Sequence, residues 1–131
     1  MGKRTTARRL AMQALYQAEM SGHDIAAALD NLLTEEPYID ETKKFARELA
    51  EAAWQNRTAS DGSIAQLSTD WPLDRLGKVD LAILRLAVYE LTATDTPHSV
   101  IINEAVELAK KYSGEEAGKF INGILGGYLR K

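Results

Sequence analysis

In the first segment, Ala7, Leu10, Ala11, Ala14, Leu15 and Ala18 recur at i, i+3, i+4 and i+7, the spacing of one helical face. Thr5, Arg9, Met12, Gln13 and Tyr16 fall on the opposite side. Gly22 closes this helix, and Asp24 is placed to cap a second through DIAAALDNLL. After Pro37, DETKKFARELAEAAWQNR repeats the pattern, with Asp40 as cap and Phe45, Leu49, Ala52 and Ala53 inward. SDGSIAQLSTDWPLDRLG holds a weaker helix around Ile64 and Leu67, then a bend at Trp71 and Pro72. Trp71, Leu73 and Leu76 are expected to plug the core there.

Lys78 to Thr94 is apolar on nearly every side, interrupted only by Asp80, Arg85 and Glu90, which marks a central helix surrounded by others. Its run VDLAILRLAVYEL is too short to span a bilayer, which needs about 20 apolar residues. Beyond Pro97, HSVIINEAVELAKKYSG sets Ile101, Ala105, Leu108, Ala109 and Tyr112 on one face, with Gly114 as the stop. The last helix, EEAGKFINGILGGYLR, opens on Glu115 and Glu116, where carboxylates oppose the positive end of the helix dipole. It also carries Gly118, Gly123, Gly126 and Gly127, each about 1 kcal/mol worse than alanine inside a helix. The expected gain is close approach of another backbone. With no strand-like alternation and no repeat, the pattern predicts an all-α fold.

Length and composition narrow the function classes. The 131 residues fit one domain, 1–131, and 45% apolar with 27% charged residues is an ordinary globular balance. The absence of cysteine excludes disulfides, thiolate metal sites and a cysteine nucleophile, and suits a reducing compartment. No apolar stretch follows the first basic residues, so no signal peptide is indicated and the cytoplasm is the expected location.

His23 and His98 stand apart and are poor metal ligands. GEEAGKF has three residues where a phosphate loop needs four between its glycines, and lacks Ser or Thr after the lysine. Adjacent carboxylates at Glu35 and Glu36, or at Glu115 and Glu116, read as solvated helix edges. No catalytic residue, metal or cofactor is expected, and the chain does not read as an enzyme.

Charge changes the picture at the amino end. Lys3, Arg4, Arg8 and Arg9 precede the first acid, Glu19, in a protein of net charge −3, so the other 113 residues sum to −7. The helix dipole disfavours cations at this end. Two readings are open: the cations solvate an outer face, or with the free N–H groups of the first turn they hold a polyanion. Gln13 and Tyr16 continue the outer face, placed to read or stack on bases or to meet a protein.

Three stretches, TARRLAMQALYQ, WPLDRLGKVDLAILRLAVYEL and PHSVIINEAVELAKKYSGEEAGKFINGIL, closely resemble the NusB family of bacterial transcription antitermination factors. The resemblance covers almost the whole chain. It implies about seven helices in two small packed bundles, RNA binding and no enzymatic activity. The implied partners are boxA-type RNA of ribosomal RNA leaders, the small-subunit ribosomal protein NusE, and an antitermination complex on RNA polymerase. By the same resemblance, Arg4 and Arg8 match a basic RNA-contacting segment, Lys119 and Phe120 a further stretch near the RNA, and Tyr16 and Asp80 positions facing the protein partner. Two alternatives stand beside these roles: Phe120 as a core residue, and Asp80 as a helix-start carboxylate favoured by the dipole. Thr5 and Thr6 stand where many relatives have an arginine run, and Arg9 replaces a common acidic residue. A helical adaptor that does not touch RNA is the competing function. An RNA methyltransferase is disfavoured because no segment for a methyl donor follows.

Overall fold

Lys3–Ser21, Ile25–Thr34 and Asp40–Gln55 form helices α1, α2 and α3, and Arg57–Leu67 forms α4. A 3-10 turn at Leu73–Arg75 leads into α5 (Lys78–Ala93), α6 (His98–Tyr112) and α7 (Glu115–Leu129). This computed structural model describes residues 2–22, 24–68 and 71–130, and among them there is no strand. His23 lies outside the described residues; His98 is exposed at the start of α6. No described group of His, Cys, Asp or Glu is arranged to hold a metal ion, and no described helix is long and apolar enough to cross a membrane.

The helices pack as two groups, α1 to α3 and α4 to α7, joined where α1 lies against α5. From Leu81 to Val88 every residue of α5 is buried, as its unbroken apolar pattern predicts. α1 is nearly as enclosed, which its pattern does not announce: Met12, expected on the outer side, is buried with 2% exposure. Four small residues, Ala7, Ala11, Ala14 and Ala18, let neighbours close around α1, and α3 contributes buried Ala46, Ala50 and Ala53. Such a helix has little amphipathic contrast.

Local signals fix most boundaries. Gly22 ends α1 at φ 72°, a left-handed conformation that costs glycine nothing, and its N–H donates to the Ala18 carbonyl. The Asp24 side chain accepts from the Ala26 N–H at 3.3 Å, opening α2. Gly114, at φ 121°, separates α6 from α7. Asp40, expected as the cap of α3, is instead its first helical residue, beside Glu41 in the first turn.

Three other expectations are corrected. Trp71 is 48% exposed and does not plug the core; Leu76 does, at 5%. Tyr112 is 36% exposed at the end of α6. Of the glycines in α7, Gly118 is the most tightly enclosed: a Cβ there would stand 2.8 Å from the Lys110 Cγ, a side chain of α6 and not a backbone, whereas at Gly123 nothing lies within 4 Å.

Two buried arginines cross-link the central helices. Arg8 of α1 donates from Nε and Nη2 to the two Glu90 oxygens of α5, each at 2.9 Å, and from Nη1 to Glu104 of α6 at 3.5 Å. The Thr5 hydroxyl donates to the same Glu104 oxygen at 2.6 Å. Arg85 of α5 donates to both Asp61 oxygens of α4 at 2.8 Å and to Glu19 of α1 at 2.7 Å. Burial pushes both guanidinium pKa values down, but the hydrogen bonds and charges of their acids outweigh it, and each stands above its ordinary value. The hydrogen bond from Arg85 holds the Glu19 carboxyl below the ordinary 4.5, against a smaller upward push from burial.

These links generate two predictions. Replacing Arg8 with Met strands Glu90 in the interior, and a loss of about 3–5 kcal/mol is expected in urea denaturation at pH 7. The double variant Arg8→Met, Glu90→Leu removes both charges and should recover most of that loss; a double variant as unstable as the single one would reject the pairing. For Glu19, a folded pKa below the unfolded one means stability that is present above pH 4.5 and lost as pH falls through the folded value. Glu19→Gln should therefore cost about 1–3 kcal/mol at pH 7, with the gap to wild type closing in acid. An equal gap at pH 7 and pH 3 would contradict it.

Candidate nucleic-acid interface

The amino-terminal cations separate once α1 forms. Arg8 and Arg9 are adjacent in sequence, so a helix turns them about 100° apart. Arg8 is 3% exposed and spent on Glu90 and Glu104, so the expectation that it meets a phosphate is corrected: both edges of its guanidinium are engaged inside the protein. The signal was in the sequence, since Glu90 in its apolar helix needs a buried cation.

Lys3 and Arg4 stay exposed in the first turn, which contains no acid. The Lys3 Nζ stands 3.2 Å from Glu41 in an exposed ion pair. The Arg4 guanidinium carbon lies 4.7 Å from the centre of the Phe45 ring on α3. Arg9 is half-buried, donating to Gln13 at 3.2 Å and to the Tyr38 hydroxyl at 3.4 Å, while that hydroxyl donates to Glu36 at 3.1 Å. Burial pushes the Arg9 pKa down, but the Tyr38 hydrogen bond together with the charges of Tyr38, Tyr112 and Glu36 outweighs it, and the group is held above its ordinary value.

Further along α1, Gln13 and Tyr16 line a groove of about 450 Å³ with Val79 at the start of α5 and Tyr112 at the end of α6. On the other flank of that junction lies a larger groove of about 660 Å³, between α4, α5 and α7. Trp71, Asp80, Lys119 and Phe120 line it. The chain thus brings Tyr16 and Asp80 to neighbouring grooves, with Val79 beside Asp80 and Tyr112 beside Ser113 forming the border. Lys3 and Arg4 stand apart: Arg4 is about 18 Å from Tyr16 along the helix axis.

Phe120 is half-buried, packed on the core with part of its ring surface lining the groove. Lys119 is exposed, 3.5 Å from Glu116 one turn before it. Asp80 sits in the first turn of α5, where the dipole favours a carboxylate, and its buried Oδ1 has no hydrogen-bond partner among the described residues. Sequence reasoning missed Trp71 as a groove wall. Its indole N–H donates to the Arg75 carbonyl at 3.1 Å, and the Ser68 hydroxyl donates to the Trp71 carbonyl at 2.7 Å, so a half-exposed ring is held in one orientation. Its signal was a large amphipathic side chain beside a proline in a turn.

Comparison with known proteins places this geometry. A family model described as the NusB family matches residues 5–130. The chain is 45% identical to the transcription antitermination protein NusB of Symbiobacterium thermophilum, over 97% of this chain and 89% of that one. The solved structure of T. maritima NusB superposes with a TM-score of 0.91 at 35% identity, covering 100% of this chain and 92% of that one. A crystal structure of the antitermination factors NusB and NusE in complex with double-stranded RNA matches with a TM-score of 0.88 at 28% identity, covering 99% and 98%. Sequence match along nearly the whole length and coincidence of the seven-helix architecture lead to one conclusion: the chain belongs to the NusB family.

Proposed function

We propose that this protein is a cytoplasmic transcription antitermination factor that binds boxA-type RNA of ribosomal RNA leaders together with the ribosomal protein NusE. The pair joins an antitermination complex on RNA polymerase, and residues 1–131 act as one RNA-binding unit without a catalytic step. The observation that carries this reading is the outer surface of α1. It presents Lys3, Arg4, Arg9, Gln13 and Tyr16 with no acid before Glu19, and Tyr16 lines a groove whose neighbour is walled by Lys119 and Phe120.

In this arrangement RNA phosphates lie against Lys3, Arg4 and Arg9 and reach Lys119, while Phe120 and Trp71 offer ring surface to bases. Base stacking on such a ring is worth about 1–3 kcal/mol. The ion pairs of Lys3 with Glu41 and of Lys119 with Glu116 are exposed, and exposed pairs contribute little, so a phosphate can exchange with them. NusE meets the region of Tyr16 and Asp80, where an aromatic side chain and an anion suit a basic protein.

The test is titration of a boxA-type single strand, a scrambled strand and a duplex, each with and without NusE, at several salt concentrations. Four phosphate contacts, at Lys3, Arg4, Arg9 and Lys119, predict a log K against log salt slope of about −2.8, at roughly −0.7 per single-strand contact. Sequence-selective binding tightened by NusE is expected, and Arg4→Glu should weaken it about tenfold or more. Capture of NusE with no salt-sensitive RNA binding would instead make the protein an adaptor.

A further inference from the structure

Among the described residues, the charged side chains of the candidate interface are held in different ways. Lys3 is paired with Glu41, Lys119 with Glu116 and Arg8 with Glu90. Arg4 has no ion pair and no side-chain hydrogen bond; what it has is the Phe45 ring at 4.7 Å. The Arg8 guanidinium carbon lies 5.6 Å from the centre of the same ring. Arg4 and Arg8 are four residues apart on one helix face, and both fall within the distance at which a cation is attracted to an aromatic face.

A carboxylate that holds an arginine also neutralises it and occupies its N–H groups. An aromatic ring does neither: it orients the planar guanidinium and leaves the charge and five N–H donors for a ligand. We propose that Phe45 is a positioning residue for RNA binding, holding Arg4 in the orientation that meets a backbone phosphate. Arg8 acts behind it as a brace. Locked by Glu90 and Glu104, it keeps α1 and the ring in register, so the arginine that the sequence offered as a phosphate ligand serves the phosphate through its neighbour. Lys3, Arg4, Lys44 and Phe45 line one groove of about 220 Å³ here together with Glu41 and Glu48, three cations against two carboxylates.

This inference rests on the RNA-binding reading above, and the experiment separates the two. Binding of a boxA-type RNA strand to the full chain is measured for wild type, Arg4→Ala, Phe45→Leu, Phe45→Tyr and the Arg4→Ala, Phe45→Leu double variant. Circular dichroism melting checks the fold, and Phe45→Met replaces Phe45→Leu where that variant unfolds. Arg4→Ala should weaken binding and make the salt slope shallower by about 0.7. Phe45→Leu, which keeps an apolar side chain but removes the ring, should weaken binding by about two- to fivefold. Phe45→Tyr should bind like wild type. Once Arg4 is alanine, Phe45→Leu should have no further effect. If Arg4→Ala weakens binding while Phe45→Leu has no effect, or has the same effect in both backgrounds, the positioning role is overturned and the RNA reading stands. If Arg4→Ala itself changes nothing, the RNA reading of the amino end fails and the positioning role falls with it.

Discussion

The ion pair between Arg8 and Glu90 sets the rotation of α1 about its own axis, and the functional surface follows from that rotation. Taking two charges out of water costs several kcal/mol each, repaid only when geometry is good and remaining donors and acceptors are filled. Here Glu90 receives two hydrogen bonds at 2.9 Å, and the free edge of Arg8 turns to Glu104, which also accepts from Thr5. A helix buried on most sides by alanines has little apolar contrast to choose its rotation. A buried cation that must find its anion supplies that choice. Turned by one residue so that Ala7 faced Glu90, α1 would strand that carboxylate in the interior.

A second link makes the arrangement reciprocal. Arg8 near the start of α1 reaches Glu90 near the end of α5, and Glu19 near the end of α1 is reached by Arg85 and, at 3.9 Å, by Lys78 at the start of α5. The two central helices therefore run antiparallel, with each donating an arginine to an acid of the other. Arg85 also engages Asp61, which brings α4 to the same junction. The pairs have an electrostatic by-product. Arg8 is buried on Glu90 and Glu19 is turned to Arg85 and Lys78, so what remains outward at the amino end of α1 is Lys3, Arg4 and Arg9.

How much of this can be read from the sequence depends on whether a signal is local. The turns at Gly22, Asp24 and Gly114 are fixed by the chemistry of one or two residues, and they are legible. The burial of α5 is legible because its apolar run is continuous. Met12 is misplaced by periodicity because α1 is enclosed on several sides, and a period detects one face; Arg8 is misplaced by the charge run and the resemblance, neither of which registers burial. Trp71 and Tyr112 look like core by composition, but each stands at an element boundary where no further helix covers it. The grooves are illegible for a different reason: Tyr16, Val79 and Tyr112, or Trp71, Asp80 and Phe120, meet only through packing across tens of residues. Lys119 and Phe120 entered as candidates through family resemblance, not through any pattern of charge.

Thr5 and Arg9 fit the same physics. Where many relatives are expected to carry arginines, Thr5 is half-buried and its hydroxyl donates to Glu104. Thr5 thus takes part in the network that holds Arg8 and adds nothing to the external field. The cation at Arg9 stands four residues later, about 6 Å further along the axis. It is placed among Gln13, Tyr38 and Glu36 and not in open solvent. Arg9 therefore adds positive charge beside Gln13, on a different side of α1 from Arg8, while Lys3 and Arg4 keep theirs exposed in its first turn.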